Sequence, residues 1–264
     1  MKTVMVLIHD DVCQEARLQC ALDVVRAVEG HLVCLDVVQM PVIADGFGIG
    51  GAPGVMLLDE RENEDGNVDR LEPRLANEGV SYEWARVHSQ SDTAITDNAR
   101  LVDLIVVGKR GVGEIAESGS AASRLAELTS APILLVPTEQ TRGVDLSGKA
   151  LVTWDGSAAA DAAIRAAVPL LKLASEVEVL TIGAGDADPG DVAAYLDRHG
   201  CKVTARMEAK TGDVSAQLLD ALRTSGAAWC AMGSYGHSRL REQLFGGATK
   251  TLLAKAPIPL LLSH

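Results

Sequence analysis

Aromatic side chains are scarce: three Trp, three Tyr and two Phe in 264 residues, against a hydrophobic fraction of 47%. The core must therefore be filled by Ala, Val, Leu and Ile, which suits the space between helices and a parallel sheet. Basic charge is also short, with 24 Lys and Arg against 36 Asp and Glu, a formal net charge of −12 and no basic run. That excludes partners bound by neutralising phosphates along a polymer, so nucleic acid and anionic membrane are not expected. Long apolar runs are missing: the N-terminal one spans only Val4 to Ile8, and no stretch reaches the ~18 residues of a membrane span. A cytoplasmic protein is expected. Cys13, Cys20, Cys34, Cys201 and Cys230 form no C-x-x-C pair, which disfavours a disulfide framework or zinc site and suggests buried thiols. The six histidines show neither H-x-x-x-H nor H-E-x-x-H spacing, so no metal site is expected. G-x4-G-K-[ST] and G-x-S-x-G are absent too, and no hydrolytic machine is visible.

What the chain does contain is a repeat. Its length suits two domains. Gly108 and Gly111 in LIVVGKRG match Gly233 and Gly236 in CAMGSYG at an offset of 125, and Ala131-Pro132 matches Ala256-Pro257 at the same offset without a gap. TVMVLIHDD and KALVTWDGS also resemble each other, with Asp10 matched to Asp155 at an offset of 145. The surplus falls between these anchors, around QMPVIADGFGIGGAPG from Gln39 to Gly54, and the polar stretch Thr138 to Gly148 is the linker. The expected domains are 1–140 and 147–264.

Each half alternates strand with helix. In the second, Ala150 to Trp154 is the first strand, and Ser157 caps a helix whose Ala162, Ala163, Ala166, Ala167, Leu170 and Leu171 recur at helical spacing. Strands at 177–182, 202–207, 228–232 and 258–262 follow, with helices at 191–199 and 214–223 between. The first half carries Ala16, Cys20, Ala21, Val24, Val25 and Val28 along its first helix, and strands at 104–107 and 133–136. The fold class is α/β: two tandem Rossmann-like domains, each a five-stranded, mostly parallel sheet with helices on both faces, packed through their last strands or adjoining surfaces.

A strand running into a glycine loop that opens a helix gathers backbone N–H groups and a helix N-terminus, both of which attract phosphate. Met232-Gly233 is such a junction, and Gly246-Gly247 opens a second helix, Ala248 to Lys255. Glycine permits backbone to touch a phosphate and tolerates positive φ. Turns alone would also use such glycines.

With these residues the chain resembles the universal stress protein family in its tandem form. The resemblance implies a nucleotide-binding regulatory protein of the stress response, not an enzyme, holding ATP with Mg2+ through G-x2-G-x9-G. Gly233, Gly236 and Gly246 fill that pattern. It further implies Asp155 near the adenosine and Ile182 against adenine; Thr153 beside Asp155, and His237, Ser238, Arg239 and Gly247 in the loop, are further candidate nucleotide contacts, with solvated loop side chains as the alternative for His237 and Arg239. Gly247 stands where the family has Ser or Thr, which removes a hydroxyl ligand worth roughly 0.5–1.5 kcal/mol; Ser234, Ser238 or Thr249 are substitutes. In the first half the gapless match puts Ala121 and Ala122 opposite Gly246 and Gly247, so one nucleotide per chain is expected, in the second domain. Asp10 there is a ligand or a helix cap. The alternatives are an interaction protein of the same fold without nucleotide, or a slow ATP hydrolase. Partners are a nucleotide and unidentified proteins, with an intramolecular pseudo-dimer that can pair again as a homodimer. Gly46 to Gly51 formally matches G-x-G-x-x-G, but seven residues separate it from the strand and Pro53 follows, so this loop is expected to be a mobile or partner-facing segment and no NAD site.

Overall fold

The computed structural model describes residues 1–38, 66–88, 92–109, 125–126, 128–183, 187–234, 249 and 251–264. Ten strands are present among them: β1 (Thr3–Ile8), β2 (His31–Val38), β3 (Ser81–His88), β4 (Leu104–Gly108), β5 (Ile133–Val136), β6 (Ala150–Thr153), β7 (Val177–Ile182), β8 (Val203–Glu208), β9 (Trp229–Gly233) and β10 (Leu260–Ser263). They form one continuous sheet in the order β3-β2-β1-β4-β5-β10-β9-β6-β7-β8. The five-stranded halves expected from the repeat are thus joined edge to edge. Every pairing is parallel except β5 with β10, which is antiparallel and sets Leu134 opposite Leu261. A pseudo-twofold axis passes through this pair.

The residue types explain the order. β1, β4, β5 and β10 are aliphatic and buried along their length, as strands covered on both faces must be. β8 leaves Thr204, Ala205 and Met207 exposed, and like β3 it carries opposite charges, which blunts an edge against further pairing. Helices Gln14–Val28, Ala158–Leu171 and Pro189–Arg198 cover one face, where Leu18, Val25, Ile164, Leu171 and Leu196 share a cluster with Val6, Val152 and Leu261. Helices Asp92–Asn98 and Val214–Thr224 cover the other, where Ile95 and Leu222 meet Ile105 and Cys230. Residues 66–75 and 251–255 are also helical. Ser157 caps Ala158–Leu171, its side chain accepting the N–H of Ala160 at 3.1 Å. All five cysteines are free and buried; burial pushes the Cys34 and Cys230 thiols up to about 12.

The register revises the match between the halves. Val4 pairs with Leu104, and Ala150 with Trp229. With the fourth strands 125 apart, the first strands are therefore 146 apart, one more than the sequence match. His9 then stands opposite Asp155, and Asp11 opposite Ser157. At the other end Ile105 pairs with Ile133, and Cys230 with Leu260, an offset of 127 for the fifth strands. Pro132 corresponds to Pro259, whose carbonyls accept the N–H of Ile105 and Cys230 respectively, each at 2.9 Å. The Ala-Pro at 256–257 is a chance recurrence two residues early. The preceding helical turn agrees, since Thr129 N–H bonds Leu125 and Ala256 N–H bonds Leu252. Six residues before Leu125 is Gly119, and six before Leu252 is Gly246. By this count along the sequence Gly119-Ser120, not Ala121-Ala122, falls opposite Gly246-Gly247.

The linker is no loose tether. Val144 and Leu146 are buried in the same cluster as helix Gln14–Val28. Beside it, Lys149 and Arg206 both pair with Glu178 on β7, Lys149 at 2.5 Å. Burial opposes the Glu178 charge, but hydrogen bonds from Lys149 and Arg206 overcome it and hold the carboxyl below its ordinary value of 4.5. A depressed carboxyl contributes stability above the unfolded value and loses it as pH falls through the folded one. Glu178→Gln is expected to cost about 1–3 kcal/mol at neutral pH, with the difference from the native chain vanishing in acid. Urea unfolding across pH 7 to about 3 reads this; a pH-independent deficit would refute it.

Candidate functional site

In the second half the chain leaves β6 toward β7 and β8 on one side and returns to β9 and β10 on the other. Such a reversal opens a crevice at the carboxyl ends of the two diverging strands, here β6 and β9. β1 and β4 make the corresponding point of the first half.

The end of β6 is tied down residue by residue. Thr153, half-buried, is followed by Trp154, whose N–H donates to Leu180 at 3.0 Å and whose carbonyl accepts the Thr181 hydroxyl at 2.9 Å. The Trp154 Nε1–H donates to Asp161 at 3.0 Å. Asp155 is exposed and its Oδ1 accepts the Ser157 N–H at 3.0 Å, an Asx turn that leaves its second oxygen toward solvent. Gly156 has φ +76, the left-handed region in which glycine has no Cβ penalty. Ile182, half-buried, ends β7 two residues beyond the Leu180 that faces Thr153.

Gly233 closes the other side. A Cβ on it would lie 2.5 Å from Ala160 N, 2.7 Å from Ala159 C and 2.8 Å from Ala160 Cα. The first reason for glycine here is thus the backbone of helix Ala158–Leu171, which crosses directly over the end of β9. Ser234 is 1% exposed and donates its hydroxyl to the Ser263 carbonyl at 3.2 Å, so it is not available to replace the hydroxyl missing at Gly247. Thr249 is buried as well.

The sheet therefore brings Thr153, Asp155 and Gly233 to one crevice, with Ile182 on its flank. Gly236, His237, Ser238, Arg239, Gly246 and Gly247 lie outside the described residues, as do Gly111, Ala121, Ala122, Ser238's neighbours in the loop and the Gln39 to Gly54 segment. Two cavities described among these residues, of about 600 and 170 Å³, are not lined by Asp155, Ile182 or Gly233. The smaller, of about 170 Å³, lies behind Trp154, between it and Asp191 and Tyr195.

The first half is built differently. Asp10 neither caps the helix nor matches Asp155; it is exposed and pairs with Arg70 at 3.0 Å. Asp11 makes the turn instead, accepting the Cys13 N–H at 2.7 Å. Arg17, 2% exposed, donates to the carbonyls of Leu7 at 2.6 Å and His9 at 3.0 Å and pairs with Asp11 at 3.0 Å. By the 146 offset its counterpart is Ala163. Sequence reasoning missed Arg17, although a cation within the stripe of Ala16, Cys20, Ala21 and Val24 was a signal, because a buried guanidinium must find acceptors. No group of His, Cys, Asp and Glu suited to a metal occurs among the described residues. No helix among them is long and apolar enough to cross a membrane.

The model of the universal stress protein family matches residues 1–137. A universal stress protein of Synechocystis sp. is 26% identical over 169 residues, which is 60% of this chain; the match spans 57% of that relative's length. Among solved structures, a universal stress protein from Archaeoglobus fulgidus superposes with a TM-score of 0.71 at 15% identity, covering 99% of this chain and 95% of that one. The cytoplasmic domain of a prokaryotic cation chloride cotransporter superposes over 99% of this chain and 95% of its own with a TM-score of 0.51 at 11% identity. These two likenesses concern the fold, which hosts more than one role. Since the family's own model spans more than half of the sequence, the chain belongs to the universal stress protein family.

Proposed function

We propose that the protein is a cytoplasmic, ATP-binding regulator of the stress response, built from units 1–140 and 147–264, with the nucleotide and its Mg2+ in the second. The observation that carries this reading is the crevice between β6 and β9. There Asp155 stands exposed at one lip and Gly233 at the other, and the sequence continues from Gly233 into G-x2-G-x9-G. Amides of that loop and the start of the following helix supply the phosphate contacts. The second half is preferred because it has Asp155 where the first has His9, and because nine residues separate Gly236 from Gly246, whereas only seven separate Gly111 from Gly119. ATP is held, not turned over: Asp155 is the sole acidic group among the proposed contacts and is engaged in the turn.

Calorimetric titration of ATP with Mg2+ into the full chain tests this. One site per chain is expected, weakened about tenfold or more by Gly246→Val. Two equal sites, or undiminished affinity in that variant, would sink the assignment. Complete absence of binding would favour the same fold acting by protein contacts alone, a reading that Gly247 and the engaged Ser234 hydroxyl support.

A further inference from the structure

A cavity of about 600 Å³ opens between the amino ends of β1, β4 and β5 and the flank of helix Ala158–Leu171, bounded by Asp103, Ala131 and Pro132 on one side and Arg165, Ala166 and Pro169 on the other. The pseudo-twofold axis relates it to a groove between helix Gln14–Val28 and the amino ends of β6 and β9. The 146 offset carries Gln19, Cys20 and Asp23 onto Arg165, Ala166 and Pro169. Burial follows the same offset, with Leu18, Ala21, Val24 and Val25 corresponding to Ile164, Ala167, Leu170 and Leu171, all buried.

The mate groove is filled by the chain's own linker. The Cys20 thiol lies 3.9 Å from the Arg142 carbonyl, and the Val144 N–H donates to Asp23. Gly143 sits so close that a Cβ on it would meet the Asp23 carboxylate at 1.7 Å and the Gln19 carbonyl at 3.3 Å. Val144 and Leu146 are 5% and 7% exposed. An extended, Gly-Val-Asp-Leu segment is therefore what this shape accepts.

We propose that the cavity beside Arg165 and Pro169 binds an extended peptide segment of a partner protein, aliphatic and acidic, lying there as linker residues 142–146 lie in the mate groove. Two differences between the grooves define the partner. Pro169 has no N–H, so the Arg165 carbonyl loses its helical partner and is left to accept a peptide N–H, the part Asp23 plays for the linker. Arg100 and Arg165 stand where the filled groove has the neutral Ser225 and Gln19. Among the described residues Arg165 pairs with Asp161 at 3.9 Å, with its side chain 66% exposed. Asp103, the acidic group of the lining, already accepts the N–H groups of Lys2 and Thr3 at 2.5 and 2.9 Å. The charge presented to a ligand is positive, against a chain of net charge −12.

The test uses the full chain and a fluorescein-labelled peptide with the sequence of residues 139–148 carrying Arg142→Glu, followed by anisotropy. The native linker stays in its own groove because its effective concentration is of millimolar order. Saturable binding of one peptide per chain is expected, about fivefold tighter than the same peptide with Arg142 retained, an advantage lost in high salt. Arg165→Glu, at an exposed position that leaves folding intact, is expected to reverse that preference. Ala166→Trp, which fills the cavity, is expected to weaken both peptides tenfold or more. The proposal is overturned if neither peptide saturates, if a scrambled peptide binds equally, if Ala166→Trp changes nothing, or if inorganic phosphate alone displaces the peptide completely, which would mark a small-anion site.

Discussion

Gly233→Ala is expected to destabilise the protein by about 3 kcal/mol or more and to lower its Tm by roughly 6–12 °C, although it adds a single methyl group. The three atoms that the new Cβ would meet, at 2.5, 2.7 and 2.8 Å, all belong to the backbone of Ala159 and Ala160. No side-chain rotation relieves the overlap, so helix Ala158–Leu171 must lift from the end of β9 or the strand must bend. Either movement separates the two lips of the crevice, so on the proposed function ATP affinity should fall together with stability. Gly66→Ala is the control, since a Cβ there meets nothing within 4 Å, and it should be neutral. Scanning calorimetry of both variants reads the difference. A Gly233→Ala chain that melts within about 1 °C of the native one, less than a 1 kcal/mol change would produce, would show that glycine serves only the loop beyond.

Leu261→Asp is expected to have a still larger effect. Leu261 is wholly buried on β10, hydrogen-bonded to strands on both sides and directly opposite Leu134. An unpaired carboxylate at this point costs several kcal/mol even after protonation, a large part of the 5–15 kcal/mol that holds a typical domain together. The milder Leu261→Ala should cost about 2–5 kcal/mol. Leu134→Ala should cost a similar amount, because the pseudo-twofold axis makes the two positions equivalent. Their double variant should depart from the sum, since the residues share one contact. Urea denaturation decides: additive losses, or single losses under 1 kcal/mol, would mean that the β5–β10 seam is not the structural joint between the halves. Unfolding of Leu261→Asp in two separated steps would show in addition that each half holds its fold without the seam.

Much of this architecture is legible in the sequence. The aliphatic runs VMVLI and ILLV, and Ser157 ahead of an alanine-rich stripe, give strand and capped helix for local reasons, because propensity, burial periodicity and capping act over a few residues. The burial of all five cysteines followed from their apolar neighbours in the same way. Even the joining of the sheets had a signal: ILLV and LLLS carry no charge, unlike the edge strands, and uncharged ends of a sheet seek a partner. The candidate crevice was legible as far as Asp155 and Gly233, because a strand-to-glycine-to-helix junction is written in consecutive residues.

Register was not legible. Sequence alone matches Asp10 with Asp155 and Ala-Pro with Ala-Pro, yet the ladders make His9 and Asp11 the counterparts of Asp155 and Ser157, and Pro132 that of Pro259. A ladder is fixed by hydrogen bonds between strands distant in sequence, and a run aliphatic on both faces reads alike after a slip of one or two residues. The partners of single groups were equally hidden: Ala160 under Gly233, the carbonyls of Leu7 and His9 around Arg17, and the linker residues beneath helix Gln14–Val28. By itself the sequence determined the fold class and the doubling, because those rest on local pattern. Only the tertiary structure decided that the two sheets are one, that Gly233 answers first to a helix backbone, and that one of two equivalent grooves is filled while its mate stands open, because close approach and long-range hydrogen bonding arise only when the chain has come together.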